Sequence, residues 1–337
     1  MDRVFAVTTF RRIRPTYSGF GTSPNSSKNS IRLFLEPIRG VHQPDINSTN
    51  LVVGSGPLPT PQSPSDHLVK VHATALCLGE LSWAKNFPSM FPEPREPVPC
   101  SDLAGTVVWA PHDSPFKAGD EVFAHTGPTR AGTAWDYTIA RTSELALKPR
   151  RFDWIQTAAT PLSTLTPWQG LLLHAALDSA AIHGERAALE LNAQKLVLAT
   201  AAGGSVGSWT VQLAASISVW VKQEPTQREG NLILDCIGGE TLESAWDAIK
   251  DGGSFLAIVA DPMSEKPREC TKTPAVAKWF LVQPLGSNLK EIAELIDKNE
   301  KFEPLVDRVL PLEDISKAFE IVEDRHAKGK VVITISV

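Results

Sequence analysis

The chain has 337 residues, 42% of them hydrophobic and 21% charged, with a net charge of −5. That length buries a large core and suits two domains. The acidic balance argues against a nucleic acid or a membrane surface as main partner, because either selects for a basic face. No apolar run reaches the length of a membrane span. Cys77, Cys100, Cys236 and Cys270 are scattered without a C-x-x-C pair, so neither a disulfide framework nor a structural zinc site is implied. Each reads as a small buried apolar residue in a reducing compartment.

Residues 1–30 differ from the rest. Arg3, Arg11, Arg12, Arg14 and Lys28 face a single acid, Asp2, among Ser, Thr, Asn and Gly. With no apolar h-region, the segment is either a mitochondrial transit peptide or a disordered tail. The expected location is the cytoplasm, with the mitochondrial matrix the alternative that a transit peptide would imply. From Ile31 the chain turns globular. Strands are expected at Ile31–Leu35, Leu51–Val53, Leu68–Leu76, Leu103–Trp109, Glu121–Ala124 and Trp135–Ile139, separated by Gly, Pro and Asp turns. Such short strands predict a β-rich domain. Helical character begins near Trp154 and runs through Gln169–Leu177, with breaks at Pro161 and Pro167. Further on, Leu289–Lys298 is a helix with Asn288 as its cap, and Val306–Leu310 a strand. Ile315–Val322 is a helix that Gly329 can end, and Val331–Ile335 closes the chain as a strand.

Between those helical stretches, Leu196–Thr200 is a strand that runs into Ala201-Ala202-Gly203-Gly204-Ser205-Val206-Gly207 and then an apolar-periodic helix. Strand, small-residue turn and helix open a dinucleotide-binding unit, in which the backbone approaches a pyrophosphate and helix-start N–H groups hold its charge. The G-x-G-x-x-G fingerprint reads Ala202-x-Gly204-x-x-Gly207, and Gly204 sits where the backbone must come closest. Apolar strands at Asn231–Gly239 and Gly253–Ala260 extend a parallel sheet.

The order of these elements, with LVKVHATAL at 68–76, VPCSDLAGTVV at 98–108, FKAGDEVFAHT at 116–126 and AATPLSTLTPWQGL at 158–171, resembles the medium-chain dehydrogenase/reductase superfamily. The match is to its zinc-free quinone-oxidoreductase and enoyl-reductase branch, and LILDCIGG at 232–239, FLVQPLG at 280–286 and the closing GKVVITI complete it. The resemblance implies an α/β fold. A GroES-like catalytic domain would span 31–150, completed by 282–337, and a doubly wound Rossmann domain 151–281. It implies hydride transfer from NADPH, with NADH the alternative, to a quinone or an activated C=C of a small molecule, and a homodimer through an edge of the Rossmann sheet. Cofactor contacts would come from Ala202, Gly203, Gly204, Ser205, Val206 and Gly207, from Cys236, Ile237 and Gly238, and from Thr166. Thr166 and Trp168 match the family's segment beside the nicotinamide, although Thr166 also suits a cap ahead of a proline-started helix.

Zinc-dependent members of the family take ligands at positions matching Cys77, Ser101 and Pro161-Leu162, and of these only the cysteine can ligate. No zinc is therefore expected. Some enoyl-thioester reductases carry a tyrosine near Phe87, which has no hydroxyl. Tyr17 and Tyr137 are the only tyrosines, one in the tail and one on a strand. Glu80, Lys85 and His125 are the remaining acid candidates near the cleft, a water would also serve, and the residues single out no general acid. One interval departs from the family. Between Thr200 and Leu232 there is room for about one crossover of roughly thirty residues, where a Rossmann half needs two. Ile217–Val221 serves as a second strand without a proper turn before it, and Lys222-Gln223-Glu224 holds opposite signals for 2′-phosphate and 2′-hydroxyl. Two readings follow: an active NAD(P)H-dependent reductase, or a degenerate member acting as a binding or scaffold protein.

Overall fold

The computed structural model describes residues 37–91, 98–128, 130–175, 177–222 and 229–336. The tail at 1–30, the strand expected at Ile31–Leu35, Gln223, Glu224 and the side chain of Lys222 lie outside what is described.

The first half is built on β-strands. β1 (Ile38–His42) and β2 (Val52–Gly56) make an antiparallel hairpin. A seven-stranded sheet then uses β3 (Asp66–Ala75), β4 (Asp102–Trp109), β5 (Glu121–His125), β6 (Tyr137–Arg141) and β7 (Leu145–Leu147). β3 is its longest strand and pairs with both β4 and β6. Its apolar residues Leu68, Val69, Val71, Ala73 and Ala75 are all buried, as are Leu103, Val122 and Phe123 of the neighbouring strands. Full burial removes roughly 1.5–3 kcal/mol of water exposure per large aliphatic side chain.

The second sheet has five parallel strands: β8 (Leu196–Ala199), β9 (Trp220–Lys222), β10 (Gly230–Asp235), β11 (Ile249–Ala257) and β12 (Val276–Trp279). Their order is β12-β11-β10-β8-β9. The runs Leu232-Ile233-Leu234 and Phe255-Leu256 are buried, as strands covered on both faces require. The helix Ser205–Ser216 covers this sheet and presses Trp209 onto Phe302, with ring centroids 6.0 Å apart and planes at 14°. The chain then returns to the first sheet: β13 (Val306–Pro311) pairs with β14 (Lys330–Thr334), and β14 pairs with β3.

Four local expectations are corrected. The break expected at Pro161 is present, between a helix at Trp154–Ala158 and one that opens at Pro161, but Pro167 does not break the second: Pro161–Trp168 is continuous and passes into a π-turn at Gln169–His174. Pro167 lacks only the N–H that would have reached Ser163, and the wider turn, with Ala175 N donating to Gly170 O, absorbs the mismatch. The late helix starts at Gly286 with Leu285 as its cap, so Asn288 lies inside the first turn. The helix Ile315–Glu323 ends before Arg325, which takes φ 58°, and Gly329 instead lets the chain pass Leu305, whose carbonyl oxygen lies 2.2 Å from where a Cβ would stand. Finally, there is a turn before the second strand. Ser218 adopts φ 63°, Val219 N closes onto Ala214 O, and β9 begins only at Trp220.

Candidate active site

The parallel strands β8, β10, β11 and β12 point the same way, so their carboxyl ends share one edge, where ligands of open α/β sheets bind. At the end of β8 the left-handed residue is Ala201 (φ 54°), not Ala202, which the motif places first. Gly204 N donates to Ala201 O at 2.8 Å and closes the turn. Gly204 caps the helix Ser205–Ser216 with extended backbone and offers no side chain to its first N–H groups. A Cβ on Gly207 would stand 2.2 Å from Ala201 O, so this glycine seats the helix on the turn. A Cβ on Gly204 would come to 3.2 Å from the same oxygen, whereas one on Gly203 would meet nothing within 4 Å. Gly203 therefore faces open space above uncapped N–H groups, and Ser205 and Val206 supply the first turn. This cradle fits the pyrophosphate of a dinucleotide.

The end of β10 is shaped by Asp235, which the sequence reading passed over. Its fully buried carboxylate accepts from Thr200 Oγ1 (2.9 Å) through one oxygen and from the N–H groups of Ile237 (3.2 Å) and Gly238 (2.7 Å) through the other. Cys236 N donates to Thr200 Oγ1 at 2.8 Å. Asp235 thus ties the end of β8 to the Cys236-Ile237-Gly238 turn and holds that turn beside the cradle. Its signal was an acid ending an otherwise apolar strand. Burial pushes the Cys236 thiol well above its ordinary range, which leaves it an inert thiol. Thr166 lies on the helix Pro161–Trp168, nearly fully buried, and donates its hydroxyl to Leu162 O at 2.8 Å. Trp168 is packed into the core.

The positions that match metal ligands in zinc-dependent relatives meet a different chemistry. Lys330 Nζ, on a side chain 3% exposed, donates to Asp102 Oδ2 (2.8 Å), Leu76 O (3.0 Å) and Cys77 Sγ (3.2 Å). Asp102 Oδ1 accepts from Leu162 N at 2.8 Å, so this carboxylate also holds the first turn of the Thr166 helix. Burial is the largest influence and pulls the Lys330 ammonium's proton affinity down; Asp102 and Cys77, through charge and hydrogen bonds, together outweigh it and hold the affinity above its ordinary value. Burial pushes the Cys77 thiol up to about 12, so the sulfur stays protonated. The sequence offered one clue to this cluster, a lysine opening the apolar closing strand.

Of the acid candidates, His125 is buried on β5 with Nδ1 3.8 Å from Asp102 Oδ1 and without a hydrogen-bond partner. Desolvation lowers its pKa against the pull of Asp102. Glu80 accepts from Cys77 N at 3.2 Å and lines a small recess with Trp83, Cys100, Ser101 and Thr126. Although its side chain is partly exposed, crowding by the protein pushes its carboxyl up to about 7, partly offset by the Cys77 N–H and Lys330. Lys85 is exposed, and Tyr137 is half-buried on β6. Phe87 is brought against Trp279 of β12.

Comparison with known proteins agrees with this architecture. A family model described as "Alcohol dehydrogenase GroES-like domain" matches residues 63–149, and one described as "Zinc-binding dehydrogenase" matches 211–333. "Probable zinc-binding oxidoreductase, mitochondrial" of Arthroderma benhamiae is 36% identical, covering 88% of this chain and 96% of that protein. "NADPH-dependent alkenal/one oxidoreductase, chloroplastic" of Arabidopsis thaliana is 28% identical, covering 79% of this chain and 71% of its own. The solved quinone oxidoreductase of Coxiella burnetii superposes with a TM-score of 0.70 at 19% identity, over 89% of this chain and 99% of that one. Two of these names carry zinc, and the residues here do not fit that metal. Ser101 and Leu162 replace ligands, Cys77 is held by Lys330, and no cluster of three or more metal-binding side chains exists among the described residues. With the two sheets, the glycine cradle and the relatives in agreement, the chain belongs to the medium-chain dehydrogenase/reductase superfamily, in its quinone- and enoyl-reductase-like branch, and is an oxidoreductase that uses a nicotinamide cofactor.

Proposed function

We propose that the protein is an NADPH-dependent, zinc-independent reductase of quinones or activated C=C bonds in small molecules. The observation that carries this reading is the open cradle at Gly203 and Gly204, aligned with the Asp235-held turn at the same sheet edge. When bound, the reduced nicotinamide supplies a hydride. The chain's own residues orient it. The uncapped start of the helix Ser205–Ser216 holds the pyrophosphate, Asp235 fixes the Cys236–Gly238 turn, and Asp102 with Lys330 fixes the helix that carries Thr166. Glu80, beside Ser101 and Thr126, holds a proton near neutral pH and is the side chain suited to pass it to product.

Purified protein should oxidise NADPH in the presence of an enone or a quinone, with the rate unchanged by chelators. Stoichiometric tightly bound zinc on elemental analysis would overturn the metal-free reading. Glu80→Gln should lower kcat and remove the limb of the rate–pH profile near 7; an unchanged profile would leave the proton to water.

The second reading, a degenerate binding or scaffold protein, is favoured by one feature: among the described residues no strand lies beyond β9. NADPH turnover would dismiss it. The Arg- and Ser-rich first thirty residues, together with the mitochondrial name of the Arthroderma benhamiae relative, support delivery to the mitochondrial matrix rather than the cytoplasm. A reporter fused to residues 1–30 that stays cytosolic would refute that. A homodimer through the outer edge of the five-stranded sheet completes the proposal, and solution scattering reads it directly.

A further inference from the structure

Phe87 stacks on Trp279 with ring centroids 6.0 Å apart and planes at 18°. The pair joins the two halves of the molecule. Phe87 comes from the segment between β3 and β4, and Trp279 ends β12 at the edge that carries the cofactor cradle. The indole is fixed, since Nε1 donates to Ile258 O at 3.1 Å, and Trp279 is half-buried. Phe87 is 39% exposed, so surface of the pair is left open at this edge. Three further apolar side chains stay exposed on segments leaving the same strand ends: Ile237 after β10, Val259 after β11 and Leu281 after β12. Gly238 links two of these segments, because a Cβ there would lie 3.0 Å from Val259 Cγ1. The neighbouring charge is turned elsewhere: Lys278 is engaged with His174 Nδ1 at 3.0 Å.

An apolar wall with a fixed, offset aromatic pair, set where the hydride donor of a reductase is expected, suits a flat apolar ligand that adds a third ring to the stack. We propose that Phe87 and Trp279 are specificity-determining residues that hold the aryl or quinonoid ring of the substrate, so that the enzyme prefers ring-bearing conjugated ketones over short aliphatic ones. This rests on the reductase reading above. In that reading Phe87 gives up proton donation, for which it has no hydroxyl, and contributes a stacking face.

The test compares wild type, Phe87→Leu and Phe87→Tyr on 4-phenylbut-3-en-2-one and on pent-3-en-2-one. KM and kcat are read from NADPH oxidation, and the dissociation constant of each ketone from calorimetry on protein saturated with NADP⁺, which needs no turnover. Loss of one aromatic contact should weaken binding of the phenyl ketone about 3–10-fold in Phe87→Leu. It should leave the aliphatic ketone within about 2-fold, and Phe87→Tyr should restore the wild-type preference. Equal weakening of both ketones, or none, would overturn the assignment. Absent turnover of either ketone would count against the reductase reading alone, because the calorimetric ratio decides the stacking role separately.

Discussion

Lys330 and Asp102 lie 228 positions apart in the chain and meet in a place where neither is solvated. A buried pair of this kind is costly to break because removing one partner strands the other's charge. Lys330→Met should therefore lower unfolding free energy by about 3–5 kcal/mol, read by urea denaturation, and adding Asp102→Asn should recover part of the loss. A change under about 1 kcal/mol in the single variant would show that the pair is not desolvated. His125, close by, gives a pH signature. Its folded pKa lies below the ordinary 6.5, so its contribution is complete above that value and is lost as pH falls through 6.5 toward the lowered one. Melting temperature should drop on acidification below about 6.5 and drop less in His125→Leu. His67, His72 and His174 are shifted the same way and keep a residual slope in that variant. Glu80 acts in the opposite sense, since its raised carboxyl costs stability as pH rises from 4.5 toward about 7. None of these partners was legible in sequence. Cys77 and Ser101 could be matched to ligand positions, but the cation that reaches that place comes from the last strand, where a lysine opening an apolar run is its one clue.

At the scale of elements, the cradle divides its glycines by task. Gly207 serves the fold, since a Cβ there would collide with Ala201 O, while a Cβ on Gly203 would collide with nothing in the protein, which makes Gly203 the probe of the proposed ligand contact. Gly207→Ala should cost about 1–3 kcal/mol of stability. Gly203→Val should melt like wild type and lose at least about tenfold in NADPH affinity, roughly 1.4 kcal/mol. Gly204→Val is a less clean probe, because it also presses on the turn at 3.2 Å. A Gly203→Val protein that binds NADPH normally would remove the cradle from the site. Strand β8, the glycine turn and its helix were legible because small residues and a change of apolar period fall in adjacent positions. The run-on at Pro167 and the left-handed turn at Ser218 were not, since a π-turn and a non-glycine left-handed residue are allowed by their surroundings rather than by their own propensities. Asp235 was passed over because its partners, Thr200 and Gly238, are brought to it only by the pairing of β8 with β10.

Over the whole molecule, the parallel sheet shows why the short interval after the glycine turn matters. The order β12-β11-β10-β8-β9 places the second strand of the nucleotide unit at the sheet's edge, and among the described residues no third strand lies beyond it. Trp220, on that edge, is 71% exposed where an adjoining crossover would cover it. The two-sheet plan itself was readable from strand order, whereas the return of β13 and β14 to β3 became visible only through the family resemblance, since nothing local marks a strand for a distant partner. A sheet cut short on the adenosine side should bind its cofactor more loosely than an intact relative, and grafting a β-α-β segment between Ala214 and Asn231 should tighten it. The central claim is that the remaining cradle still holds NADPH. Titrating the purified protein with NADPH while following nicotinamide fluorescence tests it most directly. The account predicts saturable binding that Gly203→Val weakens at least about tenfold; fluorescence that never saturates, or that Gly203→Val leaves unchanged, would contradict it.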